Sequence, residues 1–153
     1  MKLHPDKTRR IEFGRFADEN RRRREEGKPE TFDFLAFTHI SGKNRLGLFT
    51  VRRKTIRKPM RAKLREIKQQ LRERRHDPVP QTGQWLKSIV QGHFNYYAVP
   101  GNLDSLGVFR DRILGQWGHS LRRRSQQRPI SWGRILALAN RWLLNRVCFI
   151  GQR

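Results

Sequence analysis

Met60, Leu64, Ile67 and Leu71 recur at spacings of four, three and four, which is one stripe of a helix with 3.6 residues per turn. They sit in the stretch from Phe49 to His76, which reads as a short extended lead-in followed by a long helix with Pro59 in its first turn. His76-Asp77-Pro78-Val79-Pro80 ends it, because proline cannot continue the backbone ladder. The same periodicity recurs downstream. Trp85, Leu86, Ile89, Val90, Phe94 and Tyr97 predict a second helix over about 82–98, stopped by Pro100-Gly101. Leu106, Phe109, Ile113, Trp117 and Leu121 predict a third, with Asn102 or Asp104 as N-cap. Ile135, Leu138, Ala139 and Trp142 predict a fourth behind Pro129 and an N-cap at Ser131.

Upstream of Phe49 the period is two. Ile11 and Phe13 alternate with polar neighbours, so a short strand is expected after the Pro5-Asp6 turn. Phe32, Phe34, Leu35 and Phe37, then Ser41-Gly42-Lys43-Asn44, then Leu46, Leu48 and Phe49 predict a hairpin turning at 41–44. The charged run Arg21 to Gly27, closed by Lys28-Pro29, reads as a solvated loop. The expected fold is therefore mainly α: a small bundle of three to four helices behind a short N-terminal β-hairpin and strand portion.

Charge changes the picture. The 153-residue chain carries 35 Lys and Arg against 13 Asp and Glu, a net charge of +22 and a pI near 11.7. A chain so charged repels itself unless a polyanion is nearby, and nucleic acid is the first candidate. From Arg52 to Arg75 there are twelve Lys or Arg against Glu66 and Glu73, whereas a merely solvated helix face mixes signs for i,i+4 pairing. The first helix is thus expected to pack by its apolar stripe and offer cations outward. After Asp77 the only acids are Asp104 and Asp111, so the bundle is basic throughout. No run reaches the roughly 20 apolar residues that span a bilayer, and MKLHPDKTRR has no apolar signal core. The chain is expected to be cytoplasmic, with no membrane partner. A lone cysteine, Cys148, excludes an internal disulfide and a multi-thiolate zinc site.

Candidate chemistry is sparse. His4, Asp6, His39, His76, Asp77, His93 and His119 show no metal-ligand spacing. His76-Asp77 suits an imidazolium at a helix C-terminus with a turn aspartate. Gly42, Gly47 and Gly83 stand alone and are expected in turns. The polar-aromatic cluster Gln91 to Tyr97 divides in two. His93, Phe94 and Tyr97 read as core, with His93 within hydrogen-bonding reach of Tyr97 one turn on, while Asn95 and Tyr96 are as well suited to contacting a nucleotide as to lying on a plain surface.

Several of these stretches also resemble one family. Leu3-His4-Pro5-Asp6-Lys7-Thr8 resembles the Leu-x-x-x-Lys-Thr motif of reverse transcriptases, and Phe32-Asp33-Phe34-Leu35-Ala36-Phe37 the Phe-Leu-Gly-Phe motif that follows it. Arg53-Lys54-Thr55-Ile56-Arg57-Lys58, with Trp85 to Pro100, resembles the maturase-specific domain of group II intron-encoded proteins. The resemblance covers most of residues 1–130. It implies that residues 1–52 end a palm, with a primer-grip hairpin at Phe34, Leu35, Ala36 and Phe37, and that 53–153 form the thumb or maturase domain. It further implies group II intron RNA as partner, with a DNA target or primer and a separately encoded palm as further partners, in splicing and retrohoming.

The chain departs from the family in two ways. Ala36 stands where the pattern has glycine, which is expected to crowd that turn. The family's catalytic Tyr-Ala-Asp-Asp lies upstream of the Lys-Thr motif, so the chain reads as a fragment: no catalytic residue, no cofactor of its own, and no site for the Mg of the intact enzyme. Residues 145–153 carry no endonuclease signature. The expected RNA contacts are Arg53, Lys54, Arg57, Lys58, Arg61 and Arg65 on phosphates, with Asn95 and Tyr96 on bases or riboses. The alternative is a stand-alone basic nucleic-acid-binding structural protein.

Overall fold

A computed structural model describes residues 8–124 and 130–143. Pro5-Asp6, the first five residues of the Lys-Thr motif, Pro129, Cys148 and the tail 145–153 lie outside the described residues. The chain divides into two compact units, Met1–Ile56 and Arg57–Arg153. The division falls beyond the expected boundary at 52 because a strand runs on to Thr55.

The first unit holds helix α1 (Ala17–Arg23) and strands β1 (Phe32–Phe34), β2 (Phe37–Lys43) and β3 (Phe49–Thr55), an antiparallel sheet in the order β1-β2-β3. Two hairpins replace the single one expected. The first turns at Leu35-Ala36, where both residues have positive φ, +46° and +64°, the hand that a two-residue loop between twisted strands requires. Ser41 and Gly42, expected in a turn, pair instead with Val51 and Thr50. The second turn lies at 44–48, where Asn44 Oδ1 accepts from the backbone N–H of Leu46 and Leu48, each at 2.9 Å, and Gly47 takes φ +75°.

Ile11 to Phe13 form no strand. Phe13 packs edge-on against Phe32 with centroids 4.9 Å apart, and Phe32 stacks on its cross-strand partner His39 at 4.8 Å. The expected loop at 21–28 is helical as far as Arg23. Asp18 and Glu19 in the first turn pair four residues on with Arg22 and Arg23, at 3.7 and 2.6 Å, an order that also suits the helix dipole. Only Ala17 and Phe37 among the described apolar residues of this unit are fully buried.

The second unit is a helical bundle: α2 (Arg57–Glu73), a 3-10 turn (Arg74–His76), α3 (Val79–Tyr97), α4 (Leu103–Arg122) and α5 (Trp132–Trp142). The apolar stripes meet in one core. Leu64, Ile67 and Leu71 of α2 join Leu86, Val90 and Phe94 of α3, the whole stripe Leu106 to Leu121 of α4, and Ile135 and Ala139 of α5, with Met60, Trp85, Ile89, Tyr97, Leu138 and Trp142 packed around it. At roughly 25 cal/mol per Å² of apolar surface removed from water, side chains as large as Trp117, Phe94 and Phe109 make the largest individual contributions to the core. The protein is thus mainly α with a small β portion.

The helix ends show how the connections are made. α3 starts at Val79, three residues before its expected start, because Pro80 fits a first turn whose N–H groups have no intrahelical acceptor. Asn102 occupies the N-cap position of α4, yet its side chain does not cap; buried, it donates to Tyr97 O at 2.9 Å and ties the end of α3 to the start of α4. Ser131 does cap α5, accepting from Arg134 N at 3.4 Å.

Gly83 is helical rather than in a turn, and so is Gly118. A Cβ on Gly83 would lie 2.7 Å from Trp142 Cγ, and one on Gly118 would lie 3.2 Å from Ile135. The absent side chains let α3 and α4 approach α5.

Candidate nucleic-acid interface

Arg53 and Lys54 stand on β3 in the first unit, both exposed. Adjacent residues of a strand point to opposite faces, so the sheet separates these two cations rather than pooling them. At the same end of the sheet, where Lys54 pairs with Thr38, Phe34 and Leu35 are 60% and 65% exposed, while Phe37 is buried. The residues that resemble a primer grip thus form a hairpin whose tip is apolar and open to solvent.

In the second unit, Arg57, Arg61 and Arg65 follow one another at i,i+4 along α2, with Lys58 beside them, and all are exposed. The row continues through Lys68 and Arg72, so five cations lie at spacings of four, four, three and four. Neighbours in such a row are about 6 Å apart, and the row is about 22 Å long at a helical rise of about 1.5 Å per residue. It runs alongside the buried stripe Leu64, Ile67, Leu71.

The acids of α2 are elsewhere. Glu66 accepts from Lys63 Nζ at 3.0 Å and from Gln70 at 3.1 Å, and Glu73 accepts from Gln69 at 3.0 Å. Among the described residues, Arg57, Lys58, Arg61, Arg65, Lys68 and Arg72 have no carboxylate at ion-pair distance. The cationic row is therefore neither neutralised by its own helix nor folded into the core.

The C-terminal end of α2 is fixed from α4. Ser120 Oγ donates to Leu71 O at 3.3 Å, and Arg124 Nη2 donates to Asp77 O at 2.6 Å and Arg74 O at 3.4 Å. These donors satisfy carbonyls that a helix terminus leaves unpaired. His76, assigned that place from its position in the sequence, is exposed. Asp77 pairs with Arg74 at 3.6 Å, and the Arg74 guanidinium lies 4.9 Å from the Trp85 ring centroid.

Lys68, Arg72 and Arg75 also form one wall of a cleft of about 450 Å³, whose other wall is Arg112, His119 and Arg123 of α4 and its C-terminal end. None of these belongs to the eight RNA-binding residues expected from sequence. The signal was present as the charge run of α2 and the Arg122-Arg123-Arg124 cluster, but what joins them is tertiary: α2 packs on α4.

Asn95 and Tyr96 lie on the exposed side of α3. Asn95 Oδ1 accepts from Gln91 Nε2 at 2.8 Å, and Tyr96 meets Tyr97 edge-on at 4.8 Å while remaining 53% exposed. Both are accessible, one amide and one ring, to a base or ribose. His93 turns inward. It stacks on Phe109 at 3.6 Å and lies 4.3 Å from the Tyr97 ring, a ring contact rather than the hydrogen bond within reach on sequence. Its Nε2 is buried without a hydrogen-bond partner, and burial lowers its pKa from 6.5 to about 4. It is a neutral core imidazole at neutral pH.

Among the described residues, no group of three or more His, Cys, Asp or Glu side chains is placed to hold a metal ion, and no helix is long and apolar enough to cross a membrane. Comparison with protein-family models, curated proteins and solved structures gives no match to the chain.

Proposed function

We propose that the protein binds RNA, with the helical unit as the gripping surface, in the manner of the thumb and maturase part of a group II intron reverse transcriptase. The observation that carries this reading is the row Arg57, Arg61, Arg65, Lys68, Arg72, five cations on one side of one helix with no acid paired to them among the described residues. Such a row neutralises consecutive phosphates and releases their counterions, the main source of affinity for any nucleic acid. Selectivity for folded RNA needs contacts of another kind, and the exposed Asn95 and Tyr96 are the residue types that bond to and stack on unpaired bases. The resemblance in the Lys-Thr, Phe-Leu-Ala-Phe and Arg53–Lys58 stretches supports intron RNA as the particular ligand, splicing and retrohoming as the setting, and a cytoplasmic location.

The test is a titration of the protein against a structured group II intron RNA and a length-matched DNA duplex at several salt concentrations. The intron RNA is expected to bind more tightly at physiological salt, and replacing Asn95 and Tyr96 by Ala is expected to erode that preference. Equal affinity for both ligands, unchanged in the double variant, would replace this reading with that of a generic basic nucleic-acid-binding structural protein.

A further inference from the structure

Among the described residues, five cations line the cleft between α2 and α4: Lys68, Arg72 and Arg75 on one wall, Arg112 and Arg123 on the other. Among the described residues the one acid at the cleft is Asp111, which is 70% exposed and pairs with Arg110, outside the cleft. Like charges gathered around one hollow raise its potential and repel one another, and the low-dielectric wall behind them focuses that field. Among the described residues, no carboxylate lies at ion-pair distance from any of the five.

The floor differs from the walls. It consists of Leu71, Gly115 and Gln116. Gly115 stands in the interior of the 20-residue helix α4, where glycine costs about 1 kcal/mol relative to alanine. At Gly83 and Gly118 a neighbouring helix explains the glycine, but a Cβ on Gly115 would meet nothing within 4 Å. What its missing side chain leaves open is the cleft. Gln116 is the polar residue of that floor; its Oε1 is buried with no hydrogen-bond partner.

We infer that this cleft seats one nucleotide of a single-stranded RNA segment, its phosphate between the α2 and α4 cations and its sugar or base over the Leu71–Gly115 floor. The inference rests on the RNA-binding reading and assigns that reading a position. The cleft volume of about 450 Å³ falls in the range of sites that enclose a small ligand, roughly 300–1,000 Å³, and suits one nucleotide rather than a duplex. The exposed row of α2 leads into it through Lys68 and Arg72, which belong to both. A positively charged groove that tracks the backbone is a usual part of a single-strand site.

The full chain and two variants, each first checked for helical content by circular dichroism, would be titrated with fluorescein-labelled oligouridylate at several salt concentrations. Gly115→Leu fills the floor, keeps every charge and favours the helix; it is expected to weaken binding about tenfold while leaving the salt slope unchanged. Replacing Arg112 and Arg123 by Gln is expected to weaken binding and to flatten the slope by about 0.7 for each phosphate no longer neutralised. Uridine monophosphate is expected to displace the oligonucleotide better than inorganic phosphate does. A parent that binds RNA, with Gly115→Leu matching it, overturns the cleft assignment and leaves the row on α2 standing. Equal displacement by inorganic phosphate and the nucleotide reduces the site to an anion site and overturns the nucleotide. A parent that fails to bind RNA overturns the functional reading and the inference together.

Discussion

Gly83 lies flat against the indole of Trp142: a Cβ at position 83 would stand 2.7 Å from the ring's Cγ and 2.8 Å from its Cδ1 and Cδ2. No rotamer of a large ring on α5 accommodates an added methyl at that distance without moving the ring or the helix. Gly83→Ala is therefore expected to destabilise the bundle by about 1–3 kcal/mol through overpacking, despite alanine's better helix propensity. Urea denaturation followed by far-ultraviolet circular dichroism measures this. A midpoint equal to or above the parent's would mean that α5 does not sit against α3 there.

The opposite change is expected at the first hairpin. Leu35 and Ala36 both occupy the left-handed region, which costs a residue bearing a Cβ about 1–2 kcal/mol. Ala36→Gly should relieve this and stabilise the first unit by about 0.5–1 kcal/mol, net of glycine's greater freedom in the unfolded chain. Hydrogen exchange at Ile56 N, which donates to Ala36 O at 3.1 Å, reports on that turn and should slow in the variant.

His93 gives the fold a pH dependence of definite sign. Its pKa is about 4 in the folded state and 6.5 as the ordinary value, so below 6.5 the unfolded chain takes up a proton that the native core refuses. The stability contribution is present above pH 6.5 and is lost as pH falls towards 4, by about 1–2 kcal/mol after discounting for the partly exposed ring. His93→Phe preserves the stacking on Phe109 and should flatten the melting temperature across that window. An equally steep profile in the variant would assign the effect to other groups.

For the row on α2, replacing Arg57, Arg61 and Arg65 by Ala should weaken RNA and duplex DNA alike. On the duplex it should lower the salt slope by up to roughly 0.9 per phosphate left without its cation. The substituted positions face solvent, so melting temperature should hold or rise slightly. Unchanged slopes would remove the row from the interface.

What the sequence showed and what it hid divide along physical lines. The stripes of α2, α4 and α5 were legible because burial on one side of a helix writes a 3.6-residue period, and Ser131 was legible because capping is local. α1 was not: its stability comes from ion pairs four residues apart, Asp18 with Arg22 and Glu19 with Arg23, in a run of charge that also describes a solvated loop. Ser41 and Gly42 look like turn residues, and it is the register against Val51 and Thr50 that makes them strand. Gly83 and Gly118 owe their meaning to Trp142 and Ile135, far along the chain. The row Arg57, Arg61, Arg65 was legible from spacing alone, whereas the opposing wall of Arg112 and Arg123 becomes its neighbour through packing.

The unneutralised row on α2 also makes ionic strength act in two directions at once. In the unliganded protein its cations repel one another across gaps of about 6 Å, within the roughly 8–10 Å reach of charge at physiological salt. Added salt quiets that repulsion and tightens the fold, while the same ions compete for every phosphate and loosen the complex. A buffer chosen to keep the free protein well folded is thus the one in which its ligand is hardest to see, and the polyanion itself is the only counter-charge that serves both ends.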